Sequence, residues 1–136
     1  MKISFHGAAR TVTGSKHIIH LKNGKKILLD CGLFQGLGPD TFDFNQHFGF
    51  DPTEIDYMIL SHAHIDHSGL LPKLVKEGYA GKIYCTPATA DLTEILLLDS
   101  AFIQESDVAF VNKRRAERGL PYIKPLYSVA DANNVF

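Results

Sequence analysis

Short stretches of alternating apolar and polar residues open the chain. Lys2-Ile3-Ser4-Phe5-His6 alternates and stops at Gly7, which predicts a strand. Residues 7–15 are small and polar and predict a loop. Alternation resumes over residues 16–21, meets Asn23-Gly24, and continues over residues 25–30. An Asn-Gly pair between two such runs is a strong hairpin signal, because both residues tolerate the positive φ of a tight turn. An antiparallel hairpin is therefore expected over residues 16–30. Residues 32–50 are rich in glycine and phenylalanine with no clear period, and predict a long, partly packed loop.

Asp51-Pro52-Thr53-Glu54 has the form of a cap with proline at the first helical position, so a short helical turn. Tyr57-Met58-Ile59-Leu60 is a continuous apolar run, as in a strand buried on both faces. Residues 69–77 predict a short helix stopped by Gly78. Residues 82–85 predict a further strand, and Thr86-Pro87 the start of a helix. Residues 88–118 hold neither glycine nor proline and end at Gly119, which predicts one long helix or two abutting ones. Its apolar positions, Leu92, Ile95, Leu96, Phe102 and Ile103 among them, are expected to be core. Lys113, Arg114, Arg115 and Arg118 suit the negative end of the helix dipole, and a solvated helix end is favoured there over an RNA contact. Pro121 and Pro125 mark a connector, and Ser128 can cap a last helix. A hairpin followed by alternating strands and helices predicts an α/β layered fold.

Length and composition narrow the class. The chain has 136 residues, 45% of them apolar and 21% charged, which suits one globular domain. Fourteen basic residues face fifteen acidic ones, excluding a protein that coats nucleic acid by bulk charge. No charge-free run reaches eighteen residues, so no membrane span is expected, and the N-terminus has no secretory-signal pattern. Cys31 and Cys85 stand far apart. Both are expected to be small buried apolar residues in a reducing cytoplasm.

The chemistry is concentrated in Ser61-His62-Ala63-His64-Ile65-Asp66-His67-Ser68-Gly69. Three of the seven histidines fall within six residues. Shuffling the composition would yield His-x-His-x-Asp-His roughly once in a thousand trials. The motif follows the C-terminal end of a predicted strand, where α/β sheets place ligands. In an extended segment residues i and i+2 point to one side, so His62 and His64 can converge on one metal ion. Asp66 and His67 fall where the chain turns into the next helix and can face a second. Imidazole and carboxylate suit zinc, and also iron or manganese. Asp30 ends the second hairpin strand. It can take the proton of a metal-bound imidazole, or serve as a turn aspartate bonded to nearby backbone. His6, His17, His20 and His47 have no partner in sequence and are not assigned to metal.

At these residues the chain resembles the metallo-β-lactamase superfamily, and more narrowly its β-CASP branch of RNA-processing nucleases. Residues 7–15 (GAARTVTGS), 29–36 (LDCGLFQG), 61–69 (SHAHIDHSG), 84–89 (YCTPAT) and 96–100 (LLLDS) carry the likeness. The resemblance implies the N-terminal half of an αβ/βα sandwich. It implies two zinc ions, the first held by His62 and His64 and the second by Asp66 and His67. Asp66 is also implied as the residue that helps orient the attacking hydroxide, and Asp30 as a residue supporting the ligands. The implied activity is zinc-dependent hydrolysis of RNA phosphodiesters.

The family supplies further ligands and an inserted RNA-clamping domain from downstream segments, and the chain ends at Phe136 without them. The expectation is thus a partial domain spanning residues 1–136, an incomplete catalytic unit that holds zinc weakly. An uncovered sheet face should invite homo-oligomers. Two alternatives stay open: a hydrolase of a thioester, lactone or β-lactam on the same scaffold, and a non-catalytic RNA-binding or scaffold subunit.

Overall fold

A computed structural model describes all 136 residues. Five strands form one mixed sheet in the order β1 (Lys2–Phe5), β2 (His17–His20), β3 (Lys26–Leu29), β4 (Tyr57–Ile59) and β5 (Ile83–Tyr84). The first three are antiparallel neighbours, with Ile3 opposite Ile19 and Ile19 opposite Ile27. The turn at Gly24, with φ of +85°, closes the expected hairpin. The last two strands run parallel to β3. A parallel neighbour needs a crossover, so both crossovers leave from the C-terminal end of their strand.

The first crossover is not the plain loop expected. It contains a 3-10 turn at Gly38–Asp40 and helix α1 (Thr41–Gln46). Buried Asn45 holds this segment: its side chain accepts from Phe34 N at 2.8 Å and donates to Phe34 O at 3.0 Å and Thr41 O at 2.9 Å. The turn at Pro52–Glu54 forms as expected, capped by the Asp51 side chain accepting from Thr53 N. The second crossover carries α2 (Ile65–Ser68) and α3 (Leu71–Lys76). The helix expected over residues 69–77 forms as α3, and α2 is an additional turn that takes in Asp66 and His67.

Thr86 caps α4 (Pro87–Glu117), one unbroken helix of 31 residues, and Ser128 caps α5 (Val129–Asn133) with a reciprocal capping box. The core lies between the helices and one face of the sheet. Ile18, Leu28 and Met58 point into it and meet Leu70 just before α3, Leu71 and Leu74 within it, and Leu97 and Ala101 from α4. Buried Tyr127 joins it, with its hydroxyl 2.9 Å from Ser100 Oγ.

The opposite sheet face has no layer upon it. Ile3, Phe5, Tyr57, Ile59 and Tyr84 are exposed there. This corrects the expectation for β4. Met58 is buried, but Tyr57 and Ile59 are each 40% exposed, so the apolar run is buried on one face only. The core expectation for α4 is corrected too. Leu92, Ile95, Phe102 and Ile103 are exposed and Leu96 is half-buried, because the helix turns Thr93, Leu97 and Ala101 to the interior instead. Cys31 is buried as expected, whereas Cys85, on the short turn leading to Thr86, is exposed.

Candidate metal centre

The motif loop leaves β4 at Leu60 and enters α2 at Ile65. Its backbone is pinned from across the sheet. Ser15 N donates to Asp66 O at 2.9 Å, Cys31 N to His67 O at 2.7 Å, and Leu33 N to Ile65 O at 3.0 Å. Gly32 makes this approach possible: a Cβ there would stand 1.6 Å from Asp66 O. Beneath the loop lies Lys16, with no exposed surface. Its ammonium donates to Gly14 O at 3.0 Å and Gly32 O at 2.8 Å and sits 4.2 Å from the Phe34 ring centroid. Burial pulls its pKa down to about 8.

The motif side chains gather beside this loop, with His62 nearer to His67 than to His64. The His62 ring centroid lies 4.8 Å from that of His64 and 4.0 Å from that of His67. His67 Nε2 is 3.6 Å from Asp66 Oδ2. Two donors on one tetrahedral zinc stand about 3.3 Å apart, given metal–ligand bonds of about 2.0–2.1 Å. The Asp66–His67 pair thus fits one ion. No three His, Cys, Asp or Glu side chains in the chain are arranged to hold a single ion. The donor set fits zinc in chemistry and offers an incomplete cage in number.

Asp30 organises this cluster. It is buried and has φ of +59°, a left-handed conformation that aspartate tolerates better than most residues. Its Oδ1 accepts from Ser61 N at 2.8 Å. Its Oδ2 accepts from Ser61 Oγ at 2.9 Å and lies 2.9 Å from His67 Nδ1. Ser61 Oγ is also 2.9 Å from His62 Nδ1. A hydroxyl has one proton, and here it goes to Asp30. His62 Nδ1 must then be the donor to Ser61, and His67 Nδ1 the donor to Asp30. Both rings are left with the lone pair on Nε2, the form that binds a metal. Asp30 thus holds the His67 imidazole and also caps the Ser61 backbone.

Ser61 and Gly32 escaped the reading of the sequence as working parts. The signals were there, a hydroxyl beside the first histidine and a glycine two residues past Asp30, but neither has meaning until the two segments are seen to touch. The other histidines stay apart from the cluster. His6 packs edge-on against Phe50, His20 Nε2 lies 2.7 Å from Ser4 Oγ, and His47 is exposed. His17 packs against Phe5, and its buried Nδ1 has no hydrogen-bond partner. Burial pushes the Cys31 thiol up to about 12, which keeps it protonated and unsuited to bind metal as a thiolate.

An α/β sheet edge that gathers three imidazoles and a carboxylate is the frame of a metal-dependent enzyme class, and comparison with known proteins names the family. The chain belongs to the metallo-β-lactamase superfamily, whose family model matches residues 17–130. Its relatives lie in the β-CASP branch, as the motifs implied. It is 46% identical to ribonuclease TTHA0252 of Thermus thermophilus over 93% of this chain and 28% of the relative. It is 43% identical to transcription termination factor FttA of Methanosarcina mazei over 54% of this chain and 12% of that one. It is 37% identical to cleavage and polyadenylation specificity factor 73 of Drosophila melanogaster over 76% of this chain and 15% of that one. The chain thus spans less than a third of the length of these relatives. Among solved structures, a metallo-beta-lactamase from Cronobacter sakazakii overlaps 65% of this chain and 33% of its own at 26% identity, with a TM-score of 0.46. The family assignment rests on the first match and not on that overlap. No helix is long and apolar enough to cross a membrane.

Proposed function

We propose that the chain is the N-terminal part of the catalytic domain of a zinc-dependent ribonuclease, acting in the cytoplasm. The observation that carries this reading is the Asp30–Ser61 network, which turns Nε2 of both His62 and His67 into acceptors at one sheet edge. A loop that merely packs would have no use for two imidazoles locked in the same tautomer. RNA as substrate is supported by the relatives, a ribonuclease and a cleavage and polyadenylation factor among them.

In this reading His62 and His64 hold one zinc, and Asp66 and His67 the other. Zinc bound there supplies Lewis acidity toward a phosphodiester and lowers the pKa of a water to about 7. Asp30 fixes the tautomer of His67 directly and that of His62 through Ser61. Asp66, on the first turn of α2, would orient the attacking water. Four side chains give two ligands per ion, fewer than the three that a catalytic zinc takes from protein. The chain alone therefore holds zinc weakly and cleaves RNA slowly.

The test is cleavage of a labelled RNA by the zinc-loaded chain against its His64→Ala variant, with metal analysis after dialysis. Weak zinc retention and slow cleavage that vanishes in the variant are expected. Two tightly held zincs with rapid turnover would overturn the incomplete cage. Equal products from both proteins would sink the nuclease reading. Turnover of a thioester, lactone or β-lactam, with RNA untouched, would replace it with another hydrolase.

A further inference from the structure

The C-terminal end of α4 carries the densest positive charge in the chain. Four of its fourteen basic residues, Lys113, Arg114, Arg115 and Arg118, fall within six positions that contain one acid, Glu117. The simplest account is that these cations neutralise the helix end. The structure gives that work to the backbone. Gly119, with φ of +65°, donates to Ala116 O at 3.1 Å, and Leu120 N donates to Arg115 O at 2.9 Å. This pair of bonds is the Schellman ending, which satisfies the last carbonyls without side chains. None of the four cations makes a salt bridge, although four lysines elsewhere in the protein do.

An aromatic platform lies beside them. Tyr122 is 73% exposed, yet both of its neighbours are fastened to the helix. Arg115 Nε donates to Pro121 O at 2.6 Å. The Asn112 amide donates to Ile123 O at 2.9 Å and accepts from Ile123 N at 2.8 Å. Across the helix end, Arg114 lies over the exposed Phe110 ring, 4.6 Å from its centroid. Phe110, Arg114, Arg115, Arg118 and Leu120 border a shallow cleft of about 280 Å³. Free cations beside a held aromatic ring match the chemistry of a single-stranded nucleic acid, with phosphates on the cations and a base on the ring. An acidic protein segment would use the charge and leave the aromatic surface wet.

We propose that this helix end is an accessory binding surface for single-stranded RNA, with Lys113, Arg114 and Arg118 on phosphates and Tyr122 stacking a base. It rests on the reading of the protein as acting on RNA. The surface is remote from the metal loop. Ile65 and Leu96 line one groove, and Leu96 to Arg114 is eighteen helical residues, about 27 Å. It would hold substrate away from the point of cleavage.

The experiment is fluorescence anisotropy of a labelled twelve-residue oligouridylate with the 136-residue chain in EDTA, across a salt series. Arg114→Gln/Arg118→Gln should weaken binding roughly tenfold at low salt and reduce the magnitude of the log–log salt slope by about 1.4. Tyr122→Ala should weaken it roughly fivefold or more, and Tyr122→Phe should restore it. Lys22→Gln, a single exposed cation in the hairpin turn and outside this helix end, should leave the affinity within twofold of wild type. RNA binding that the Arg and Tyr122 variants leave intact would overturn this surface while the nuclease reading stands. Equal affinity for an oligoglutamate of matched charge would overturn it in favour of an acidic protein partner. Failure of the wild-type chain to bind at 50 mM salt would overturn it as well, and the cleavage assay would then decide the nuclease reading separately.

Discussion

Replacing Asp30 by asparagine tests the tautomer network with almost no change of shape. The amide oxygen can take the place of Oδ1 and keep the bond from Ser61 N, now 2.8 Å. The amide NH₂ then stands where Oδ2 was, facing Ser61 Oγ and His67 Nδ1, both 2.9 Å from that position. A donor there forces His67 Nδ1 to accept, which moves the ring proton to Nε2. Ser61 Oγ also accepts, turns its own proton toward His62 Nδ1, and moves that ring's proton to Nε2 as well. Two metal-facing lone pairs are lost through one atom. The hydrogen-bond count is kept, so the fold should lose only about 1 kcal/mol, the difference between a charged and a neutral acceptor. Loss of such a supporting partner weakens metal binding about 10- to 100-fold, or roughly 1.4 to 2.7 kcal/mol. Zinc affinity would be read by competition with a chromogenic chelator, and the ring tautomers by ¹⁵N NMR of the metal-free chain. Asp30→Asn should bind zinc at least tenfold more weakly and show protonated Nε2 on both rings. Ser61→Ala should alter His62 alone. Affinity within twofold of wild type, or rings still protonated at Nδ1, would refute the reasoning.

Three further outcomes follow from the structure. Gly32→Ala sets a methyl 1.6 Å from a backbone carbonyl that cannot swing aside, and should cost about 3 kcal/mol or more in urea unfolding; a cost below 1 kcal/mol would mean that the loops are not in contact. Lys16 has a folded pKa of about 8, below its unfolded value, so the unfolded state binds more protons above pH 8 and stability should rise with pH from there. The Cys31 thiol acts oppositely above pH 9, because its raised pKa makes the folded state hold its proton longer. The rise is therefore confined to about pH 8 to 9, and Lys16→Met should flatten it in denaturant titrations; an unchanged slope would assign it to another group. Tyr57→Lys with Ile59→Lys on the bare sheet face should shift the chain toward monomer in light scattering and reduce dye binding, and a wild type that is already a dye-silent monomer would contradict the expectation.

The strands and the long helix were readable because their signals are local. Asn23-Gly24, Thr86-Pro87 and Ser128 each act on the next few residues, and the structure uses all three at or within a residue of the expected place. The histidine cluster was readable for the same reason, since His62 to His67 are neighbours in sequence. Helix α1 was not, because its main tie is the Asn45 amide reaching Phe34 eleven residues away. Nor was the side on which α4 rests. Its apolar residues occupy much of the circumference, and period alone does not choose among several apolar faces. The Ser61 relay depends on a contact over 31 positions, which no local pattern records.

The pinned loop also bears on the order in which the chain takes shape. Residues 15, 31 and 33 bond to the backbone at residues 66, 67 and 65, across gaps of 32 to 51 positions. Closing loops of that length costs entropy before any contact repays it, so the histidine loop should lock late in folding. Its anchors emerge first during synthesis, and the hairpin that carries them can close by itself. The histidine segment would then arrive on a frame already standing, and its side chains would acquire their orientation from residues translated before them.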